Sequence, residues 1–132
     1  MKEKLLTLLE NSYAEYSKFK VSCVLVCKDK KEFYGVNVEN SSFGATICAE
    51  RNAIFSAITC GYKASDFDKI YIMNNGGKIC TPCMLCRQVF VEFFSSDVEV
   101  YCYDINGNYK KYTVGILCPD SFSMEDLKWM MK

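Results

Sequence analysis

The chain contains no histidine among its 132 residues and only two prolines. The first absence excludes every metal site that uses imidazole, and it removes the side chain that most often acts as a general base near neutral pH. Lysine and arginine together number 16, aspartate and glutamate also number 16, and the formal net charge is zero. Because the chain has no basic run or stripe, we expect no nucleic acid partner.

Long apolar runs are also missing. The longest, Val21 to Val26 and Val89 to Phe94, are far too short to span a bilayer, so we expect no contact with a membrane. The first residues carry mixed charges and lack the apolar region of a secretory signal, which favours a cytoplasmic protein. Half of the residues are hydrophobic, and this content predicts one domain over residues 1–132 that folds without disulfide bonds.

Nine cysteines in a chain without an export signal indicate reduced thiols rather than a disulfide framework. Four of them lie inside apolar segments and are predicted to be small core residues: Cys23, Cys27, Cys60 and Cys102. Two cysteine clusters remain, Cys48-Ala49-Glu50 and Pro82-Cys83-Met84-Leu85-Cys86, and these clusters suggest chemistry.

Cys48, Cys83 and Cys86 fit a zinc site that is open for catalysis. Three protein ligands leave a fourth position for water, whereas a structural zinc site usually has four. Bound zinc lowers the pKa of that water toward ~7, and Glu50 would then move protons between hydroxide, substrate and leaving group. Cys48 and Glu50 are two residues apart and would face different ways in a regular helix, so Cys48 must lie at the very first helical position.

Hydrophobic periodicity predicts alternating helices and strands. The predicted helices are Lys4–Tyr16, Cys48–Cys60, Met84–Phe94 and Met124–Met131, the last with Ser123 as its cap. The predicted strands are Val21–Cys27, Phe33–Val38, Lys69–Met73, Val98–Tyr103 and Tyr109–Val114. This alternation is typical of an α/β sandwich. Both cysteine clusters fall where a helix starts, and the partial positive charge there favours thiolate.

The motifs Cys-Ala-Glu-Arg at 48–51 and Pro-Cys-x-x-Cys-Arg-Gln-Val at 82–89 resemble the zinc-dependent cytidine deaminase family, specifically its small, three-cysteine, homotetrameric branch. Segments 16–19, 35–40, 42–44 and 122–123 resemble family segments in the same order, so the likeness covers nearly the whole chain. It implies a three-layer α/β/α sandwich with a mixed sheet of about five strands, and a homotetramer with pockets shared between subunits.

The resemblance implies hydrolytic deamination of cytidine and 2′-deoxycytidine to uridine and 2′-deoxyuridine, with release of ammonia, as in pyrimidine salvage. One zinc per chain would be held by Cys48, Cys83 and Cys86. Zinc-bound hydroxide would attack C4 of the pyrimidine, and Glu50 would protonate N3.

The resemblance also implies contacts to the substrate. The backbone N–H of Ala49 would bind the base carbonyl, and the carbonyl of Thr81 would lie near the departing amine. Asn37 and Glu39 would hydrogen-bond the ribose. These two residues are two apart on an extended segment, so their side chains are expected to point the same way, with the neighbouring valines on the opposite face.

Aromatic and arginine side chains complete the implied site. Phe19 and Phe43 would line the nucleoside pocket, and Phe122 would reach the pocket of a neighbouring subunit. Arg51 and Arg87 directly follow the two motifs. A guanidinium that donates hydrogen bonds to metal-bound sulfur would withdraw negative charge and restore the Lewis acidity of the zinc.

Three features leave alternatives open. Met84 and Leu85 stand where the family usually has Gly-Ala, and they would shift Cys86 or narrow the site if the spacer backbone needs a left-handed or closely packed position. Cys80 creates a cysteine run that resembles an iron–sulfur motif, and it could also close a structural zinc site. Pro82 interrupts that run and places Cys80 on the incoming loop, so we expect Cys80 to be outside the site. A related zinc deaminase that acts on another aminated ring, such as an antibiotic nucleoside, would lack the ribose contacts.

Overall fold

Helices and strands alternate along residues 1–130, the part of the chain that the computed structural model describes. The helices are α1 (Lys2–Leu9), α2 (Ala49–Thr59), α3 (Met84–Phe93) and α4 (Val114–Leu117). The strands are β1 (Val21–Cys27), β2 (Glu32–Val36), β3 (Phe67–Asn74), β4 (Glu99–Tyr103) and β5 (Tyr109–Thr113). Short 3₁₀ helices cover Phe43–Ala45, Ala64–Asp66 and Met124–Met130.

The five strands form one mixed sheet in the order β2-β1-β3-β4-β5. Strands β3 and β4 are parallel, and the other neighbouring pairs are antiparallel. Helix α3 connects the parallel pair, which is the usual crossover between parallel strands. The carboxyl ends of β3 and β4 therefore meet at one edge of the sheet, close to the start of α3.

Helices cover both faces of the sheet, which confirms the three-layer arrangement. One core packs β1 residues Cys23 and Leu25 against α2 and α3, and the other packs Val24 against α1. Successive residues of β1 pack into the cores on opposite faces of the sheet. The sequence of this strand is therefore almost continuously apolar instead of alternating between apolar and polar residues. Among residues 1–130, no helix has the length and apolar character that a membrane crossing requires.

Helix α1 is shorter than its periodicity predicts and ends at Leu9 instead of Tyr16. The chain then turns, and the backbone of Tyr13 pairs with the segment after β2: its N–H donates to the carbonyl of Asn37, and its carbonyl accepts from the N–H of Glu39. This long-range pairing replaces further helical hydrogen bonds. The side chain of Tyr13 is exposed rather than part of the core face.

Other boundaries differ by smaller amounts. Strand β2 ends at Val36 because Val38 forms isolated bridges on both sides, and β3 is longer than predicted. The predicted final helix is a 3₁₀ helix, and its expected last residue, Met131, lies outside the described residues. At its start, the Asp126 carboxylate accepts from the Ser123 N–H.

Cys23, Cys27 and Cys102 are buried, as expected for core residues. The prediction for Cys60 is wrong. This residue is the C-cap of α2 and is exposed, because the helix ends there and the chain turns at Gly61 with a φ of +91°.

Candidate metal centre and active site

Three cysteine sulfurs meet between the N-termini of α2 and α3. The Sγ atoms of Cys48, Cys83 and Cys86 lie within 4.8 Å of one another, and those of Cys48 and Cys83 are 3.7 Å apart. A tetrahedral zinc with bonds of about 2.3 Å separates its sulfur ligands by about 3.8 Å, so the spacing fits this ion. Within residues 1–130, no other group of three or more cysteine or acidic side chains is suitably placed to hold a metal.

The backbone at both helix starts explains how the sulfurs converge. Cys48 is the N-cap of α2 and has an extended conformation (φ −73°, ψ 156°). Cys83 is the N-cap of α3 and is also extended (φ −65°, ψ 166°). Because Cys48 precedes the first helical residue, its side chain is free to lie beside Glu50 despite their separation by two. The spacing predicts Cys48 at the first helical position, and the structure places it one residue earlier, as the N-cap.

The pKa values of Cys48 and Cys86 are shifted in opposite directions. The pKa of Cys48 is lowered to about 5, chiefly because the Cys86 thiol donates a hydrogen bond to it. Burial opposes this shift, and hydrogen bonds from Arg51 and Cys83 reinforce it. The pKa of Cys86 is raised, first by the same bond to Cys48 and then by burial. A divalent cation would relieve the repulsion between three adjacent thiolates, so the donor set also fits a metal on chemical grounds.

Arg51 contacts the sulfur cluster as expected. Its Nη2 donates to the Sγ of Cys48 over 3.3 Å. Its Nε is buried and has no hydrogen-bond partner. The charged guanidinium and the sulfurs of Cys48 and Cys86 stabilise one another, which raises the pKa of Arg51 although burial opposes this shift.

The corresponding expectation for Arg87 is wrong. Its Nε donates to the carbonyl of Pro82, its Nη1 to the carbonyl of Leu117 and its Nη2 to Oγ1 of Thr81, each over 2.8 Å. The side chain runs back along the loop before α3, where backbone carbonyls are closer than any sulfur. Arg87 therefore braces the loop that carries Thr81.

The bulky spacer between the α3 cysteines does not narrow the site. Met84 is 73% exposed and Leu85 is 65% exposed. They are the first two residues of α3, whereas Cys86 in the third position is buried and turned inward. The condition under which the spacer would shift Cys86 is therefore not met: both large side chains are exposed, and the buried cysteine faces the other sulfurs.

Cys80 lies outside the sulfur cluster. Its thiol is exposed and donates to the carbonyl of Lys78 over 3.6 Å. The four-cysteine arrangement of a closed structural zinc site is thus not formed in this structure, as the position of Pro82 predicts. Cys80 instead contributes to the wall of the adjacent cavity.

Glu50 is buried in the first turn of α2, with 4% of its surface exposed. Burial raises the pKa of its carboxyl to about 7, and the neighbouring charge of Cys48 adds to this effect. A hydrogen bond from its own backbone N–H, one from Cys86 and the charge of Arg51 act in the opposite direction. A carboxyl that titrates near neutrality can both accept and return a proton at physiological pH.

A cavity of about 290 Å³ opens over Glu50 and the sulfurs. This volume is close to the lower end of the range for small-molecule pockets. Five of the predicted substrate-binding residues line it: Phe19, Asn37, Glu39, Ala49 and Thr81. Ala49 is the first residue of α2, so its backbone N–H is one of those that have no partner inside the helix.

Asn37 and Glu39 both lie on the cavity wall, whereas Val36 and Val38 line a separate groove. The opposite faces predicted from their spacing are therefore observed. Hydrogen bonds from the hydroxyl and N–H of Ser17 lower the pKa of Glu39, so its carboxylate is charged at neutral pH.

Two predicted aromatic residues do not line this cavity. Phe43 is 77% exposed and lines a neighbouring groove, which shares Glu39 and Thr46 with the cavity. Phe43 lies in the 3₁₀ turn at 43–45 and is not part of the main cavity in a single chain, so its place in the nucleoside pocket stays a prediction. Phe122 lies further away, in a groove with Met84.

Sequence reasoning missed other residues of the cavity wall. These are Val21, Thr46, Ile72, Asn74, Cys80, Pro82 and Tyr103. Asn74 and Tyr103 are the last residues of the parallel strands β3 and β4. The rule that ligands bind beyond the carboxyl ends of parallel strands could have indicated them.

Comparison with known proteins matches residues 1–102 to the family model for the cytidine and deoxycytidylate deaminase zinc-binding region. Among curated proteins, the chain is similar to a cytidine deaminase of Mycoplasma genitalium, with 36% identity over 91% of each chain. It is also similar to a cytidine deaminase of Sporosarcina psychrophila, with 37% identity over 91% of this chain and 87% of the relative.

Among solved structures, the fold is similar to cytidine deaminase from Burkholderia pseudomallei. The TM-score is 0.87 with 40% identity, over 91% of this chain and 94% of that one.

Proposed function

This chain belongs to the family of cytidine and deoxycytidylate deaminases with a zinc-binding region, and from that membership we propose that it converts cytidine and 2′-deoxycytidine to uridine and 2′-deoxyuridine with release of ammonia. It is a zinc-dependent hydrolytic deaminase. The observation that supports this substrate is that Glu50 and two of the three clustered cysteines, Cys48 and Cys83, line one cavity of about 290 Å³.

Cys48, Cys83 and Cys86 would hold one zinc per chain. When bound, this ion acts as a Lewis acid that turns water into a nucleophile near neutral pH. Arg51 donates to Cys48 and offsets the negative charge of the thiolates, which would otherwise weaken that effect.

Glu50 would move the protons of the reaction. Its burial places the pKa near neutrality, so the carboxylate can take a proton from the attacking water and deliver it to N3 of the pyrimidine. Glu50 can then accept the remaining proton from the hydroxyl on C4 and pass it to the amino group, so that C4 becomes a carbonyl and ammonia leaves. The low polarity around it favours these transfers over exchange with bulk water.

The remaining cavity residues would bind and orient the nucleoside. The free N–H of Ala49 would donate to the base carbonyl, and the carbonyl of Thr81 would accept from the departing amine. Asn37 and Glu39 would bind the ribose hydroxyls, with Phe19 packed against the ligand at the cavity wall. A deaminase for another aminated ring would not need this sugar-facing pair.

Phe122 would act in the assembled protein. We propose a cytoplasmic homotetramer that serves pyrimidine salvage, in which Phe122 reaches the pocket of a neighbouring subunit. Phe122 is 56% exposed and shares a groove of about 390 Å³ with the exposed Met84. Burying such apolar side chains against another copy would remove them from water.

The first test measures the loss of ultraviolet absorbance of cytidine and 2′-deoxycytidine, with zinc and iron analysis of the same sample. We expect turnover with about one zinc per chain. Glu50→Gln should keep fold and zinc content, because the amide has the same shape, but lower kcat by about 10²- to 10⁴-fold. Zinc without turnover of either nucleoside would overturn the proposed substrate, and an active Glu50→Gln variant would overturn the role of Glu50.

A further inference from the structure

Residues 16–20, here called the Phe19 arm, directly precede β1 and belong to neither a helix nor a strand, and Phe19 lines one side of the cavity. It contains Lys18 in the left-handed conformation, with a φ of +61°. A residue with a side chain rarely adopts this conformation unless neighbouring contacts stabilise it. The position of Phe19 therefore depends on what holds the arm.

The residues already assigned to the sugar hold one side of this arm. Asn37 accepts from the N–H of Val21 over 2.9 Å and donates to the carbonyl of Phe19 over 2.8 Å. Glu39 accepts from the N–H groups of Tyr16 and Ser17, each over 3.0 Å. The N–H of Lys18 donates to the carbonyl of Ala14 over 2.9 Å. The carbonyl of Lys18 and both backbone groups of Lys20 are left to be held from the other side.

Asn75 holds that other side with three hydrogen bonds. Its Oδ1 accepts from the N–H of Lys20 over 3.1 Å, and its Nδ2 donates to the carbonyl of Lys18 over 3.0 Å. Its backbone N–H donates to the carbonyl of Lys20 over 3.0 Å. The two residues that flank Phe19 are thus bound by one side chain, which also satisfies the carbonyl of the left-handed residue.

Asn75 directly follows the last residue of β3 and begins the loop that leads to the metal site. The preceding residue, Asn74, accepts from the N–H of Gly76 over 2.7 Å and donates to the carbonyl of Lys78 over 3.0 Å. The turn built in this way leads to Thr81 and Cys83. Asn75 therefore joins the arm that carries Phe19 to the loop that carries a sulfur ligand.

We propose that Asn75 is a positioning residue for substrate binding, which acts by fixing Phe19 at the cavity wall. The inference rests on the proposed function, because its main readout is nucleoside turnover. Asn75 has no part in the proton transfers, so its removal acts on KM rather than on kcat.

The test compares Asn75→Ala with wild type in cytidine turnover. We expect KM to rise about tenfold, equivalent to about 1.4 kcal/mol, because two side-chain hydrogen bonds of about 1 kcal/mol each are lost. The kcat should change by less than about twofold, since Glu50 and the sulfurs are untouched. Asn75→Asp keeps the acceptor for Lys20 but loses the donor to Lys18, and it should give an intermediate KM.

A double-mutant cycle with Phe19→Ala separates positioning from general destabilisation. If Asn75 acts through Phe19, Asn75→Ala should have little further effect on KM in a chain that already lacks the Phe19 ring. Asn108→Ala is the matched control, because Asn108 also makes a turn hydrogen bond, to Asp104, but does not line the cavity. It should lower the unfolding temperature without changing KM.

Amide hydrogen exchange gives a readout that does not depend on substrate. The N–H of Lys20 should exchange faster in Asn75→Ala and near the wild-type rate in Asn108→Ala. Equal KM values for wild type and Asn75→Ala, or an additive KM effect in the cycle, would overturn the inference. If the wild-type enzyme fails to turn over the nucleosides, the proposed function is overturned. The exchange measurement still tests the role of Asn75 in that case, because an unchanged exchange rate of the Lys20 N–H in Asn75→Ala would overturn that role.

Discussion

At the scale of the residue, the chemistry of the site depends on which thiols face one another. Cys83 lies 3.7 Å from Cys48, sulfur to sulfur, whereas Cys80 is turned toward a backbone carbonyl. Sequence spacing alone does not separate the two, because Cys80 and Cys83 are as far apart as Cys83 and Cys86. The proline between them and the extended backbone at Cys83 make the difference.

This difference can be measured with two matched serine variants. Cys80→Ser should leave zinc content and kcat almost unchanged, since its sulfur is not part of the cluster. Cys83→Ser removes a ligand and should lose most of the bound metal and nearly all turnover. Loss of zinc in Cys80→Ser would instead support a closed, structural metal site.

Single residues also show where prediction from sequence succeeds. The clustering of the three cysteines and the place of Glu50, Asn37 and Glu39 beside one cavity could be predicted, because short spacings and a family motif indicate them. The target of Arg87 could not be identified, because its partners, the carbonyls of Pro82 and Leu117, are set by tertiary packing. Leu117 lies in α4, a helix that the sequence pattern does not indicate.

At the scale of the element, the site depends on how closely α2 packs on β2. Gly35 faces the first turn of α2, and a Cβ at this position would lie 2.2 Å from the Ala49 carbonyl oxygen and 2.7 Å from the Ala53 nitrogen. Both contacts are with backbone, which cannot rotate aside. The absence of a side chain on one strand residue therefore sets the position of the helix start that carries Cys48 and Glu50.

We expect Gly35→Ala to lower the free energy of unfolding by about 1–3 kcal/mol, the usual cost of overpacking. It should also lower kcat, because moving α2 away from the sheet displaces Glu50 from the sulfurs. Gly77→Ala is the control, since no atom lies within 4 Å of a Cβ there. Thermal unfolding and cytidine turnover measure both effects. Wild-type kcat in a folded Gly35→Ala variant would contradict the link between packing and catalysis.

Element boundaries could be predicted where the signal is local. Strand β1 matches its prediction at both ends, because an apolar run between polar segments defines it. The end of α1 could not be predicted from local signals. The backbone of Tyr13 pairs with the segment near residue 38 instead of continuing the helix, and that segment is far away in the sequence. The apolar residues at 13 and 16 keep the helical spacing even though the backbone has left the helix.

At the scale of the whole molecule, the strand and helix pattern of the sequence predicts the order of the layers, but it does not predict how many chains assemble. Phe43 and Phe122 are aromatic side chains that remain exposed in one chain. In the proposed tetramer, their roles would depend on surfaces that a single chain does not complete. The cavity of the single chain includes Phe19 but neither Phe43 nor Phe122.

Sedimentation velocity should show four chains per particle if the proposed assembly is correct. Phe122→Ala should raise KM for cytidine, because it removes an aromatic contribution to a neighbouring pocket, while kcat per assembled site changes less. Tyr34→Ala is a matched control, since Tyr34 is also an exposed aromatic residue but lies on β2 away from the cavity. A fully active monomer would refute the shared pocket.

The convergence of sulfurs from two helix starts has a consequence for the lifetime of the protein. Cys48 and Cys83 are 35 positions apart, so an ion held by both would act as a removable cross-link that closes a long loop. Such a link restricts the denatured ensemble and favours the folded chain by mass action. The amount of folded enzyme in a cell would then follow the supply of free zinc, and metal scarcity would expose the chain to proteolysis before it limited the rate of any single turnover.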